Sequence, residues 1–268
     1  MEKQVLFEKK GYKGYIILNR PEKLNSLTMD MYREIGLILD QIENDPEIRV
    51  VIMKGNGRCF SAGYDLSQEA PNPDFDAFED RRETELSNAN RWKIWRSNKP
   101  FIAQVNKYCL GGACELILPC DFILGDDELV IGEPEIQFGT YPGLLMIPWV
   151  CGLRQAKELL LLGSKITGKK AAEIGLISRS YPADKLEEEV EKLADELIRI
   201  PQNAIALQKR GINRAFDIMG IRQACESWED LTMLYHFTET EETRKFNEIV
   251  DAEGVKAALA WREKYFSE

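Results

Sequence analysis

Two short runs, RVVIMKG at 49–55 and FIAQVN at 101–106, constrain the fold most. Each is apolar and only a few residues long, bounded by a Gly, Pro or Asn, which is the pattern of a short buried strand. Helical text stands beside them. MDMYREIGLILDQIENDP places Met31, Ile35, Leu39 and Ile42 at helical spacing, with Thr28 or Asp30 near the start and Pro46 past the end. Ahead of it, VLFEKKGYKGYIILNRP clusters β-branched and aromatic residues around two glycines and stops at Pro21, a hairpin signal. After 101–106 come a glycine stretch, a helix from about Gly112 and a further strand at DFILG. Helical periodicity returns at LRQAKELLLLG, at KKAAEIGL and from Lys185 to Ile200, and beyond Pro201 strand signals are few. Strands preceding helices repeatedly imply an α/β core over 1–200, followed by a C-terminal helical segment over 201–268. The polar stretch 67–88, with two prolines between strand-like blocks, is expected to be a long loop of the kind that serves as a lid.

Composition narrows the function. A formal net charge of -10 without a long Lys/Arg run opposes binding to a phosphate backbone. No stretch approaches the roughly 20 apolar residues of a membrane span, and MEKQVLFEKK lacks the apolar core of a signal peptide, so the expected setting is cytoplasmic. Six cysteines without a CxxC pair read as reduced, mostly buried thiols. With His236 as the single histidine, a His-centred triad or a multi-His metal site has nothing to build on. No metal or redox cofactor is expected, because neither a ligand cluster nor a GxGxxG after a strand is present. Chemistry must rest on carboxylates and backbone.

CFSAGYDL at 59–66 and CLGGACEL at 109–116 each put small residues directly after a strand, where the backbone bends sharply and a ligand can approach N–H groups closely. Two such turns can aim two donors at one oxygen, or they can simply permit tight helix–strand packing. Glu115 follows Gly112 by three residues and opens an otherwise apolar helix, so it is either a functional carboxylate or a capping charge. In IGEPEIQFG, Glu133 and Glu135 flank Pro134; by spacing alone either is equally a solvated loop charge.

KYCLGGACELILPCDF at 107–122 followed by IGEPEIQFGTYPG resembles the signature region of the enoyl-CoA hydratase/isomerase (crotonase) superfamily. The resemblance extends to LNRPEKLNSL at 18–27, GRCFSAGYDL at 57–66, AKELLLLGSKITGKKAAEIGLIS at 156–178 and the tail EGVKAALAWREKYF, in order along nearly the whole chain. It implies a crotonase-like spiral of repeated strand–strand–helix units, with homo-oligomers that are trimers or dimers of trimers. An acyl-CoA is then the substrate, and coenzyme A is part of that substrate rather than a cofactor.

The resemblance also implies site residues. The backbone N–H groups of Tyr64 and Gly112 would hold the thioester oxygen, Glu115 would activate water and Glu135 would supply the proton to Cα. Lys23 and Leu24 would lie against the CoA adenine, opposite Ala62, Asp65 and Leu66. Tyr141, Pro142 and Gly143 would line the acyl pocket, reshaped by the bulky run PGLLMIPW at 142–149, with the aromatics of RWKIW as further wall or as core. Hydration of an enoyl thioester is the expected activity. Its rivals are isomerisation, hydrolysis or decarboxylation on the same scaffold, or a non-catalytic RNA-associated role.

Overall fold

The computed structural model describes residues 3–66, 77–138, 140–236, 238 and 240–266. A hairpin of β1 (Val5–Lys10) and β2 (Lys13–Leu18) leads to α1 (Met29–Asn44) and β3 (Val50–Gly55). Then follow α2 (Ala77–Arg96), β4 (Phe101–Val105), β5 (Tyr108–Leu110), α3 (Gly112–Ile117), β6 (Phe122–Asp126) and β7 (Val130–Gly132). The core continues through α4 (Ile147–Cys151), α5 (Leu153–Leu162), β8 (Ile166–Thr167), α6 (Gly168–Glu173), β9 (Arg179–Tyr181) and α7 (Leu186–Arg199). Four helices close the chain: α8 (Gln202–Met219), α9 (Ile221–His236), α10 (Glu241–Glu253) and α11 (Val255–Tyr265).

Among the described residues the strands form two sheets. The larger runs β1-β2-β3-β4-β6-β9, antiparallel at the β1–β2 hairpin and parallel elsewhere; the smaller runs β5-β7-β8. The apolar runs behind β3 and β4 have a direct explanation. Val51, Met53, Phe101, Ala103 and Val105 face the main core, whereas Val50, Ile52 and Ile102 face a second cluster. That second face is covered by α7, which presents Leu186, Val190, Leu193, Ala194 and Leu197 at helical spacing. Strands buried on both faces read as continuous apolar text.

The two sheets repeat one unit along the chain. Each larger-sheet strand (β3, β4, β6) is followed by a short extended piece in a second layer, and these pieces lie side by side: Ser61 bridges Cys109, and Cys109 pairs with Ile131. Tyr64 stands three residues after Ser61, Gly112 three after Cys109 and Pro134 three after Ile131. The spiral therefore delivers the same point of three successive turns to one place, which is the spiral of strand–strand–helix units expected from sequence.

One expectation fails. Residues 77–88 are not a loop but the first part of α2, and 67–76 lie outside the described residues. The helix escapes detection because its buried face is polar: Ser87, Asn88, Asn90 and Arg91 are all buried. Hydrophobic periodicity has nothing to register on such a face.

The C-terminal helices are tied into the core by charge. Lys209 of α8 places Nζ 2.7 Å from Asp121 Oδ2 and donates to the carbonyls of Ile94 and Lys99 at 3.0 Å. Removing one partner of a buried pair costs about 3–5 kcal/mol. Lys209→Met is accordingly expected to lower Tm on the order of 10 °C in a thermal melt; a Tm within a degree or so of the parent would show that this contact contributes no stability. Among the described residues no helix is long and apolar enough to cross a membrane, and all six cysteines are free.

Candidate active site

The site begins where β3 and β5 end. Gly111 takes φ +53° and ψ -128°, backbone that a side chain makes costly, and its N–H donates to Gly132 O at 2.9 Å. That turn starts α3 with Gly112 as its first residue, so the Gly112 N–H has no acceptor within the helix. Neither this N–H nor that of Tyr64 donates a hydrogen bond among the described residues. Around Tyr64 the loop is pinned by Leu27 N–H to Gly63 O at 2.8 Å and by Asp65 N–H to Leu27 O at 3.0 Å.

Glu115, in the first turn of α3, is fully buried. Its counter-charge is Arg91 of α2, whose Nη2 lies 2.7 Å from Glu115 Oε2, with neither side chain exposed. The Tyr64 hydroxyl lies 3.3 and 3.2 Å from the two Glu115 oxygens and accepts from Arg91 Nη2 at 2.9 Å. Burial works against the Arg91 charge, but Glu115 and the two tyrosines outweigh it, so the guanidinium holds its proton more tightly than usual. Burial, reinforced by Glu115 against the opposing pull of Arg91, pushes the Tyr64 phenol up, so it too keeps its proton.

Glu133 and Glu135 are not solvated loop charges: their exposures are 1% and 6%. The Glu135 carboxyl lies against the Cα of Gly111, where any Cβ would collide with it. Neither Glu133 oxygen has a nitrogen or oxygen hydrogen-bond partner among the described residues, and the polar group beside it is the Cys114 thiol. Burial first, and then the neighbouring Glu115, push the Glu133 carboxyl well above the usual range, which favours its protonated form. Spacing did not suggest that environment.

The remaining sequence-derived residues form the rim. Lys23 is exposed and Leu24 half-buried in a turn where Leu24 and Asn25 take φ +54° and +52°. Asn25 holds that strained backbone by donating to Asn56 O and Cys59 O, each at 2.9 Å. The turn meets the opposite wall through Ala62 N–H to Leu24 O at 3.0 Å. Asp65 is ion-paired with Arg20 at 2.9 Å, so its side chain binds the two loops together, and Leu66 is half-buried beside it.

Tyr141 packs on Trp228 of α9 with ring centroids 5.5 Å apart, and Trp228 Nε1 donates to Pro142 O at 2.7 Å. Gly143 abuts the Glu115–Arg91 pair: a Cβ there would stand 3.0 Å from Glu115 Oε2 and 3.3 Å from Arg91 Nη1. Of the RWKIW aromatics, Trp92 is buried in the core and Trp95 packs against it. The residue of that segment that enters the site is Arg91. Sequence reading missed Arg91, Tyr32 and Asn88, since an arginine in polar text is ordinarily a surface residue.

Comparison with known proteins follows the same outline. The profile of the family described as enoyl-CoA hydratase/isomerase matches residues 10–265. A short-chain-enoyl-CoA hydratase of Clostridium acetobutylicum is 31% identical over 78% of this chain and 81% of its own. A mitochondrial enoyl-CoA hydratase of Pongo abelii is 31% identical over 80% and 74%. The crystal structure of an enoyl-CoA hydratase/isomerase from Xanthobacter autotrophicus Py2 superposes with a TM-score of 0.94 at 32% identity, covering 99% of both chains.

Proposed function

The chain belongs to the enoyl-CoA hydratase/isomerase family, and from that membership we propose that it adds water reversibly across the α,β double bond of an enoyl-CoA thioester. The observation that carries this reading is the meeting, at the start of α3, of two buried carboxyl groups, Glu115 and Glu135, with two backbone N–H groups left without acceptors among the described residues. In the proposed step the N–H groups of Tyr64 and Gly112 hold the thioester oxygen; one such donor is worth about 2.7–4 kcal/mol as negative charge develops there. Water oxygen bonds to Cβ, its proton passes to Glu115, and the π electrons move onto the thioester oxygen. The enolate then takes a proton at Cα from Glu135. Transfer of the proton from Glu115 back to Glu135 closes the cycle, with no atom or electron left over. CoA would run along Lys23 and Leu24 against Ala62, Asp65 and Leu66, with the acyl group towards Tyr141, Pro142 and Gly143.

No group of three His, Cys, Asp or Glu side chains among the described residues is arranged to hold a metal, and the proposed step requires none. Free cysteines support a reducing, cytoplasmic setting. A trimer or dimer of trimers is part of the reading, supported by Leu153, Leu161 and Leu162 of α5 and Leu207, Ile218 and Met219 of α8, all exposed. Light scattering on a size-exclusion column should give three or six chains; a monomer at micromolar concentration contradicts that part.

The function itself is tested by a steady-state panel with and without EDTA: crotonyl-CoA, a 3-enoyl-CoA, a malonyl-type thioester and a saturated acyl-CoA. Hydration of the 2-enoyl thioester should dominate and survive EDTA. Dominant isomerisation, decarboxylation or thioester hydrolysis would replace the proposal with one of those activities.

A further inference from the structure

Arg91 is fixed from several sides. Besides Glu115 and Tyr64, its Nη2 donates to the Tyr32 hydroxyl at 3.1 Å, and its Nη1 donates to Asn88 Oδ1 at 2.6 Å. Asn88 in turn donates to Gly143 O at 3.0 Å and to Glu229 Oε1 of α9 at 2.5 Å. The network thus joins α1, α2, the loop after β3, α3, the acyl-pocket loop and α9. A fully buried ion pair is a poor source of stability, because desolvation of both charges offsets their attraction. What it does impose is one orientation on the carboxyl group.

We propose that Arg91 is a positioning residue: it holds the Glu115 carboxyl group in one orientation, so that Glu115 enters the hydration step as proton acceptor and the proton for carbon comes from Glu135. The inference rests on the hydratase reading above. The groups around Glu115 are Arg91 from α2, Tyr32 from α1, Tyr64 from the loop after β3, Cys114 on its own helix, and Glu133 and Glu135 from the turn after β7. Burial pushes Tyr32, Tyr64, Cys114 and Glu133 up, which favours the protonated, neutral form of each. Arg91 is then the one cation among these groups. When Glu115 takes the water proton, the negative charge passes to the thioester oxygen, and the Arg91 charge remains in the pocket beside it.

The test is the split of kcat from KM for a 2-enoyl-CoA, with Tm, in Arg91→Met, Arg91→Gln, Arg91→Lys and Tyr64→Phe of the full chain. Without the guanidinium the carboxyl group can turn away from the substrate, and misplacing a reacting group by an ångström costs about 10²-fold in rate. In Arg91→Met kcat at neutral pH should therefore fall at least about 10-fold with KM changed little, and Arg91→Gln carries the same expectation if Arg91→Met fails to fold. Arg91→Lys keeps a cation beside Glu115 and should restore most of that kcat. Tyr64→Phe removes a hydroxyl that donates to Glu115 and leaves Arg91 in place, so it should lower kcat less than Arg91→Met does.

Parental kcat in a folded Arg91→Met or Arg91→Gln, a loss that Lys fails to restore, or a larger loss in Tyr64→Phe overturns the assignment. A parent that hydrates no enoyl thioester sinks both readings, whereas a parent that hydrates, with Glu115→Gln inactive and kcat indifferent to Arg91, sinks this one alone.

Discussion

Glu135→Gln should lower hydration of the best enoyl-CoA by about 10²–10⁴-fold, the usual contribution of one acid–base group, with Tm close to the parent. Gln fills the same volume and removes only the transferable proton. Glu115→Gln should depress turnover to a similar degree, but its thermal behaviour should differ. The change strands the Arg91 guanidinium, fully buried, without its carboxylate, and breaking a buried pair by deleting one partner costs about 3–5 kcal/mol. A Gln carbonyl still accepts a hydrogen bond, which sets the expectation at the lower end. Kinetics and a melt on both variants check the pair: near-parental turnover in either removes that residue from the mechanism, and equal melting temperatures would deny that Arg91 depends on Glu115.

Gly111→Ala should produce the second large effect. At φ +53° and ψ -128° an L side chain is strained, at about 1–3 kcal/mol, and its Cβ would press into Glu135 Oε1 and push the carboxyl aside. Displacing the carboxyl by an ångström is enough to cost about 10²-fold in rate. Whether the loss runs through Glu135 is readable from a double-mutant cycle. Gly111→Ala combined with Glu135→Gln should turn over no more slowly than Glu135→Gln alone, because the displaced group is already inactive. Fully additive losses would place the effect elsewhere, for instance in the Gly112 N–H.

How far the sequence foretold this protein depends on which face of each element carries the signal. The strands β3 and β4 and the helices α1 and α7 were legible because their buried sides are apolar, and burial writes itself into such text at a period of 2 or 3.6. The α2 helix was not, because Ser87, Asn88, Asn90 and Arg91 share its buried side with Trp92 and Ile94 and solve by hydrogen bonding what apolar residues solve by exclusion of water. Short pieces such as β5 and β7, three residues each, are too brief for periodicity to show.

The glycine turns and Glu115 were singled out by residue type and spacing and Glu135 by the family resemblance, and the fold brings Gly111, Gly112, Tyr64 and both carboxyls to one end of α3. Two features had no local signal. Glu115 is answered by a residue 24 positions earlier on a helix that hid itself, and Glu133 is buried in a segment that reads as an exposed loop.

The central claim is that backbone donors and a carboxyl pair add water to an enoyl thioester. It is tested most directly by incubating the purified protein with crotonyl-CoA in ¹⁸O-labelled water and weighing the product by mass spectrometry. The account predicts a 3-hydroxyacyl-CoA carrying one ¹⁸O on the acyl chain, formed rapidly by the parent and slowed by orders of magnitude in Glu135→Gln. Label appearing instead in a free carboxylic acid, or a product isomeric with the substrate and free of label, would contradict it.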